Sequence, residues 1–101
     1  MHVISKAKFV EAESKHPNQA NALQDLYKNL KNNEFATPEE LKNLYKSLDN
    51  IKEKDKWYVI DIGGNNLRVI MYINFKSQSV YMKHIVTHSE YDELCKQFKK
   101  G

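Results

Sequence analysis

The chain opens on a short strand candidate, the apolar pair Val3 and Ile4, and then changes period. Ala7, Phe9, Val10 and Ala12, following Ser5, predict a first helix. Pro17 suits the opening turn of a second, where its missing N–H costs nothing. Leu23, Leu26, Tyr27 and Leu30 then recur at i, i+3, i+4 and i+7, one face of a helix, and Asn32 and Asn33 end that run. Thr37-Pro38-Glu39-Glu40 is a helix start, with threonine as cap, proline first and glutamate third. Leu41, Leu44, Tyr45 and Leu48 carry its stripe, so the first half predicts a helical hairpin.

The second half alternates with a period of two. Trp57 to Ile62, Leu67 to Phe75 and Val80 to Val86 are runs of β-branched and aromatic residues. Gly63-Gly64-Asn65-Asn66 and Lys76-Ser77-Gln78-Ser79 are the turns between them, and short turns join antiparallel neighbours. A final helix is expected from about Ser89, with Ser89 and Asp92 spaced as a capping pair and Tyr91, Leu94, Cys95 and Phe98 as its stripe. The order predicts an α+β fold over residues 1–101 as one domain. An N-terminal helical hairpin packs on an antiparallel β-sheet meander, with a C-terminal helix.

Four-residue turns fix a register. Ile62 faces Leu67, so Arg68 lies opposite Asp61, Ile70 opposite Val59 and Tyr72 opposite Trp57. On the far side, Phe75 faces Val80, Tyr72 faces Lys83 and Ile70 faces Ile85. Side chains alternate in face. One face collects Tyr58, Ile60, Ile62, Leu67, Val69, Met71, Ile73, Phe75, Val80, Met82 and Val86, a surface the hairpin must cover; His84 also falls there. The other collects Trp57, Val59, Asp61, Arg68, Ile70, Tyr72, Tyr81, Lys83 and Ile85. That mixture of cations and rings over an apolar floor suits either a cradle for nucleotides or a seat for the last helix, with Arg68 and Asp61 an ordinary cross-strand pair.

Charge sharpens the picture. The 101 residues carry a net charge of +3, and five basic residues against two acidic ones between 54 and 88 account for all of it. The same segment holds Trp57, Tyr58, Tyr72, Phe75, Tyr81, His84 and His88. Cations interleaved with aromatics match single-stranded nucleic acid, whose phosphates seek charge and whose bases seek ring faces. A tyrosine-rich sheet with a solvated lysine fringe has the same composition. Arg68 is the one arginine among sixteen basic residues, which suggests a need for its planar fork. His88 stands at the junction of the last strand and last helix, where rigid elements hold an exposed side chain. Residue spacing shows no metal-ligand set, phosphate-binding loop, dinucleotide fingerprint or nucleophile elbow. No apolar run is long enough to span a membrane. The first residues lack a signal-peptide layout, and the lone Cys95 fits a reducing cytoplasm.

The stretch Trp57-Tyr58-Val59-Ile60-Asp61-Ile62-Gly63-Gly64-Asn65-Asn66-Leu67-Arg68, with Val86-Thr87-His88-Ser89-Glu90-Tyr91-Asp92, resembles the HigB family of toxin–antitoxin toxins, within the RelE/ParE superfamily. Met1-His2-Val3-Ile4-Ser5 and Leu48-Asp49-Asn50 share the likeness. The resemblance implies a RelE-like α+β fold and a ribosome-dependent mRNA endoribonuclease that uses no metal or other cofactor. In such enzymes the 2′-OH attacks the adjacent phosphate. It implies a helix-turn-helix, HigA-like antitoxin, the ribosome and mRNA as partners, no membrane, and a cytoplasmic location. By motif, Arg68, Lys83, His88 and Tyr91 are the expected catalytic residues, with His88 ahead because histidine titrates near neutrality. Lys56, Asn65 and Tyr72 are the expected substrate contacts. Two other classes remain open: a ParE-like toxin that binds gyrase without cutting RNA, and a non-catalytic RNA-binding module.

Overall fold

The computed structural model describes residues 1–51, 54–63 and 67–100, the backbone alone at 98–100. In chain order the elements are β1 (His2–Ile4), α1 (Lys6–Lys15), a 3₁₀ turn (Pro17–Gln19), α2 (Ala20–Asn32), α3 (Pro38–Leu44), β2 (Asp49–Asn50), β3 (Trp57–Ile62), β4 (Leu67–Asn74), β5 (Ser79–Thr87) and α4 (His88–Lys100). None of the helices is long and apolar enough to cross a membrane, among the described residues.

The α+β architecture is the expected one, and the β3-β4-β5 meander forms the middle of a larger sheet ordered β1-β5-β4-β3-β2. β1 pairs parallel to β5, with Val3 opposite Val80, and β2 pairs antiparallel to β3. Three helical stripes close one face. Phe9 and Ala12 of α1, Leu23, Leu26 and Leu30 of α2 and Leu41 of α3 are buried against Ile60, Ile62, Leu67, Val69, Met71, Ile73, Val80 and Met82. At 20–33 cal/mol per Å² of apolar area, this burial is the main stabilising contribution.

Local signals set the helix starts. The Thr37 hydroxyl accepts from the Glu40 N–H at 3.3 Å, while the Glu40 carboxylate accepts from the Ala36 N–H at 2.8 Å. α3 is shorter than its stripe suggested. The chain turns extended at Tyr45, whose hydroxyl accepts from Asn29 Nδ2 at 2.9 Å, and Leu48 reaches the core from the loop while Leu44 is exposed.

The β3–β4 register is the expected one, with Asp61 opposite Arg68, Val59 opposite Ile70 and Trp57 opposite Tyr72. The β4–β5 register is not. Ile73 faces Val80 and Tyr72 faces Tyr81; a bulge between Ile70 and Met71 then leaves Ile70 facing His84 and Arg68 facing Val86. The turn is set from outside the hairpin. Gln78, at φ 57°, donates from Nε2 to the Phe75 and Phe35 carbonyls at 2.6 Å each, tying the turn to the α2–α3 connection. One inserted residue swaps faces beyond it. Ile85 therefore joins the helix-covered core and Val86 the opposite face. His84, expected on the covered face, pairs with Ile70 and stands half-buried beside Lys8, Glu11 and Lys15 of α1. Burial, then the charges of Lys8 and Lys83, hold its pKa below the ordinary histidine value.

Candidate active site

α4 begins one residue after β5 has paired Thr87 with Leu67. The cap is not Ser89–Asp92, the expected pair. The Thr87 hydroxyl accepts from the Glu90 N–H at 3.3 Å, and the Glu90 carboxylate accepts from the Thr87 N–H at 2.9 Å. This reciprocal box satisfies two backbone donors that a helix start leaves orphaned. Hydrogen bonds to the Glu90 carboxylate from the Thr87 backbone N–H, first, and from the Thr87 side chain hold that carboxyl below its usual pKa. With Thr87 as cap, His88 becomes the first helical residue, Tyr91 lies one turn on, and both turn back over the end of β4.

Arg68 is where these side chains meet. Its Nη1 lies 3.0 Å from Asp61 Oδ1 across the β3–β4 pair, and both side chains are about one-fifth exposed (20% and 23%). Its Nε donates to His88 Nδ1 at 3.1 Å. Its guanidinium carbon stands 4.7 Å from the centre of the Tyr91 ring, a cation–π contact. Arginine carries donors only, so His88 Nδ1 is the acceptor in this contact. His88 Nε2 is 4.0 Å from Asp92 Oδ2, one helical turn further along. The Tyr91 phenol is raised to about 12, chiefly by burial and next by its hydrogen bond to Cys95, so it stays protonated at neutral pH. Its hydroxyl is spoken for by Cys95, and its ring is what faces Arg68.

Tyr91 and Leu94 also close over Ile51, Val59 and Ile70. The last helix thus seats itself on the middle of the second sheet face and leaves the two ends different. Arg68, Asp61, His88 and Tyr91 form one end. At the other, the Tyr72 and Tyr81 rings meet edge to face at 5.8 Å, and Lys83 Nζ lies 5.6 Å from the Trp57 ring centre and 5.8 Å from that of Tyr81. Three of the four expected catalytic residues, Arg68, His88 and Tyr91, are therefore together. Lys83, expected opposite Tyr72, is instead the extra residue of the bulge, and it joins the aromatic end. Lys56 precedes β3 at φ 65°, exposed, with its carbonyl accepting from the Ile73 N–H at 2.9 Å, so it too belongs beside Trp57 and Tyr72. Asn65 lies outside the described residues. Asp92 is expected only as a capping partner of Ser89 and Glu90 has no expected role, although His88-x-x-x-Asp92 and Thr87-x-x-Glu90 both have spacings that bring side chains together at a helix start.

Comparisons with known proteins point to one family. A profile of the HigB toxin family, described as the RelE-like toxic component of a toxin–antitoxin system, matches residues 19–94. The chain is 51% identical over 101 residues to an mRNA interferase HigB of Escherichia coli O6:H1, spanning all of this chain and 98% of that one. It is 40% identical over 92 residues to the mRNA interferase toxin HigB of Escherichia coli K12, spanning 91% of this chain and 88% of that one. A Shigella flexneri mRNA interferase HigB matches to the same degree.

Proposed function

The chain belongs to the HigB family of RelE-like toxins, and on that premise we propose that Arg68 and His88 form the centre at which it cuts mRNA. It is the toxin of a toxin–antitoxin pair, an mRNA endoribonuclease whose partner is the antitoxin. The observation that carries the site is the arginine held on three sides, by Asp61, His88 and Tyr91. Those contacts fix the guanidinium plane and leave its remaining N–H groups for an anion. A fork of this kind matches two phosphate oxygens at once.

The chemistry follows from the same contacts. As the remaining Arg68 N–H groups take the phosphate, the lone pair on His88 Nδ1 turns from Nε to the neighbouring 2′-OH. That neutral imidazole takes the proton of the 2′-OH, whose oxygen attacks the adjacent phosphorus. Arg68 stabilises the charge gathered on the phosphorane oxygens. The P–O5′ bond breaks, leaving a 2′,3′-cyclic phosphate and a 5′-hydroxyl whose proton comes from water. Tyr91, turned to Cys95, serves as a shelf for Arg68 and not as an acid. Such a small donor set leaves in-line placement of the RNA to another body. We therefore place the reaction on the translating ribosome, in the cytoplasm, with a HigA-like helix-turn-helix antitoxin as the neutralising partner.

The test maps RNA 5′ ends by primer extension after brief induction of the wild type and of Arg68→Ala. New ends inside translated messages, absent in the variant, support both the activity and the site. Growth arrest without new ends overturns the nuclease reading and directs attention to a protein target such as gyrase.

A further inference from the structure

We propose that Trp57, Tyr72 and Tyr81, with Lys83 beside them, form a second subsite that stacks an unpaired base of the RNA strand whose phosphate Arg68 holds. The proposal rests on the nuclease reading and adds a part that acts on a neighbouring nucleotide. Arg68 and Tyr72 lie on one face of β4, four residues apart, which is roughly 13 Å along a strand. Tyr91 and Leu94 close the apolar floor between them, so the two ends are separate sites on one track.

Three observations point to a base as the occupant. Tyr81 is 38% exposed, one of the few large apolar side chains left open among the described residues. Its ring meets Tyr72 edge to face at 5.8 Å, which braces it. The bulge is the third. Without the inserted residue, the Tyr72–Tyr81 register would carry on and set Lys83 directly opposite Ile70. With it, the Lys83 ammonium is aimed at the Trp57 and Tyr81 rings, at 5.6 and 5.8 Å. Bulges interrupt a ladder and re-aim a side chain, and they gather at sites. Lys54 Nζ also lies 5.4 Å from the Trp57 ring centre, and Trp57 and Tyr72 are half-buried, so Tyr81 is the exposed ring of the group. Cations beside an exposed ring are the pairing that single-stranded nucleic acid uses. The base takes a ring face, and the lysine turns on its flexible stem to the phosphate. Every base has a π-face, so this subsite supplies affinity and not choice of sequence.

Trp57 is the sole tryptophan of the chain, so its fluorescence reports the subsite directly. The full-length protein is titrated with a short single-stranded DNA, which lacks the attacking 2′-OH, and with an abasic strand of equal charge. Quenching by the first and little by the second is expected. In a translation-coupled cleavage assay, Tyr81→Ser raises KM by roughly tenfold, the loss of one stacked base, with kcat unchanged, and Tyr81→Phe restores it. Tyr81 is exposed, so the serine variant keeps its fold, checked by its urea midpoint. Equal quenching by the abasic strand, or an unchanged KM in Tyr81→Ser, overturns the proposal. Loss of antitoxin binding in Tyr81→Ser with base-dependent quenching intact also overturns it, and assigns the face to the protein partner. Quenching by a protein that cuts no message in the wild type overturns the nuclease reading and not this subsite.

Discussion

Arg68→Lys separates the shape of the arginine from its charge. Lysine keeps the cation but has no Nε to donate to His88 Nδ1 and no plane to lie over Tyr91. The hydrogen bond is worth about 0.5–1.5 kcal/mol and the ring contact about 0.5–1 kcal/mol at a partly exposed site. The contact with Asp61 persists as a point-charge pair, worth about 0–1 kcal/mol so near the surface. Stability therefore falls by roughly 1–2.5 kcal/mol, well inside the 5–15 kcal/mol of an ordinary domain, and the variant folds. Activity falls much further. Loss of a preorganised donor to a developing oxyanion costs about 10²–10³ in rate, and His88 also loses the contact that holds its ring in register. The measurement is message cleavage in a purified translation system, at matched folded protein from a urea curve. Cleavage within tenfold of wild type would refute the reasoning, because charge alone would then suffice and the three-sided grip on the guanidinium would be incidental.

Other substitutions probe the same geometry. His88→Ala loses about 10²–10⁴ in cleavage rate while unfolding at nearly the same urea concentration; a smaller loss removes His88 as the base. Tyr91→Phe keeps the ring under Arg68 and retains most activity, whereas Tyr91→Ala does not, and a Phe variant as dead as His88→Ala assigns a chemical role to the phenol. Glu90→Ala unpicks the cap of α4 and costs about 0.5–2 kcal/mol at neutral pH. The Glu90 carboxyl is held low in the folded state, so its stabilisation is present above the ordinary glutamate range and fades as pH falls through the lower folded value; urea midpoints of the two proteins should converge in acid. Gln78→Ala strands the Phe35 and Phe75 carbonyls and costs about 1–3 kcal/mol, read from the urea midpoint.

Much of this was legible in the chain because it is local. The α2 stripe, the Thr37 cap, the alternation of β3 and β4 and the Asp61–Arg68 pairing each depend on residues a few positions apart, where period and turn length leave one solution. The motifs around Arg68 and His88 carried the family for the same reason. What the sequence did not decide depends on partners far along the chain. Three-residue β1 has no periodicity that could announce a parallel seat beside β5. The β4–β5 turn takes its setting from Phe35, forty-three positions from Gln78, and the one-residue bulge that follows sends Lys83 away from the expected catalytic group. The Tyr91 stripe reads the same whether the ring is core or shelf. Only the closing of α4 over Ile70 brings it beneath Arg68 and turns His88 to the arginine. Local patterning selects which face of an element is buried; which element meets it is settled by packing the whole chain at once.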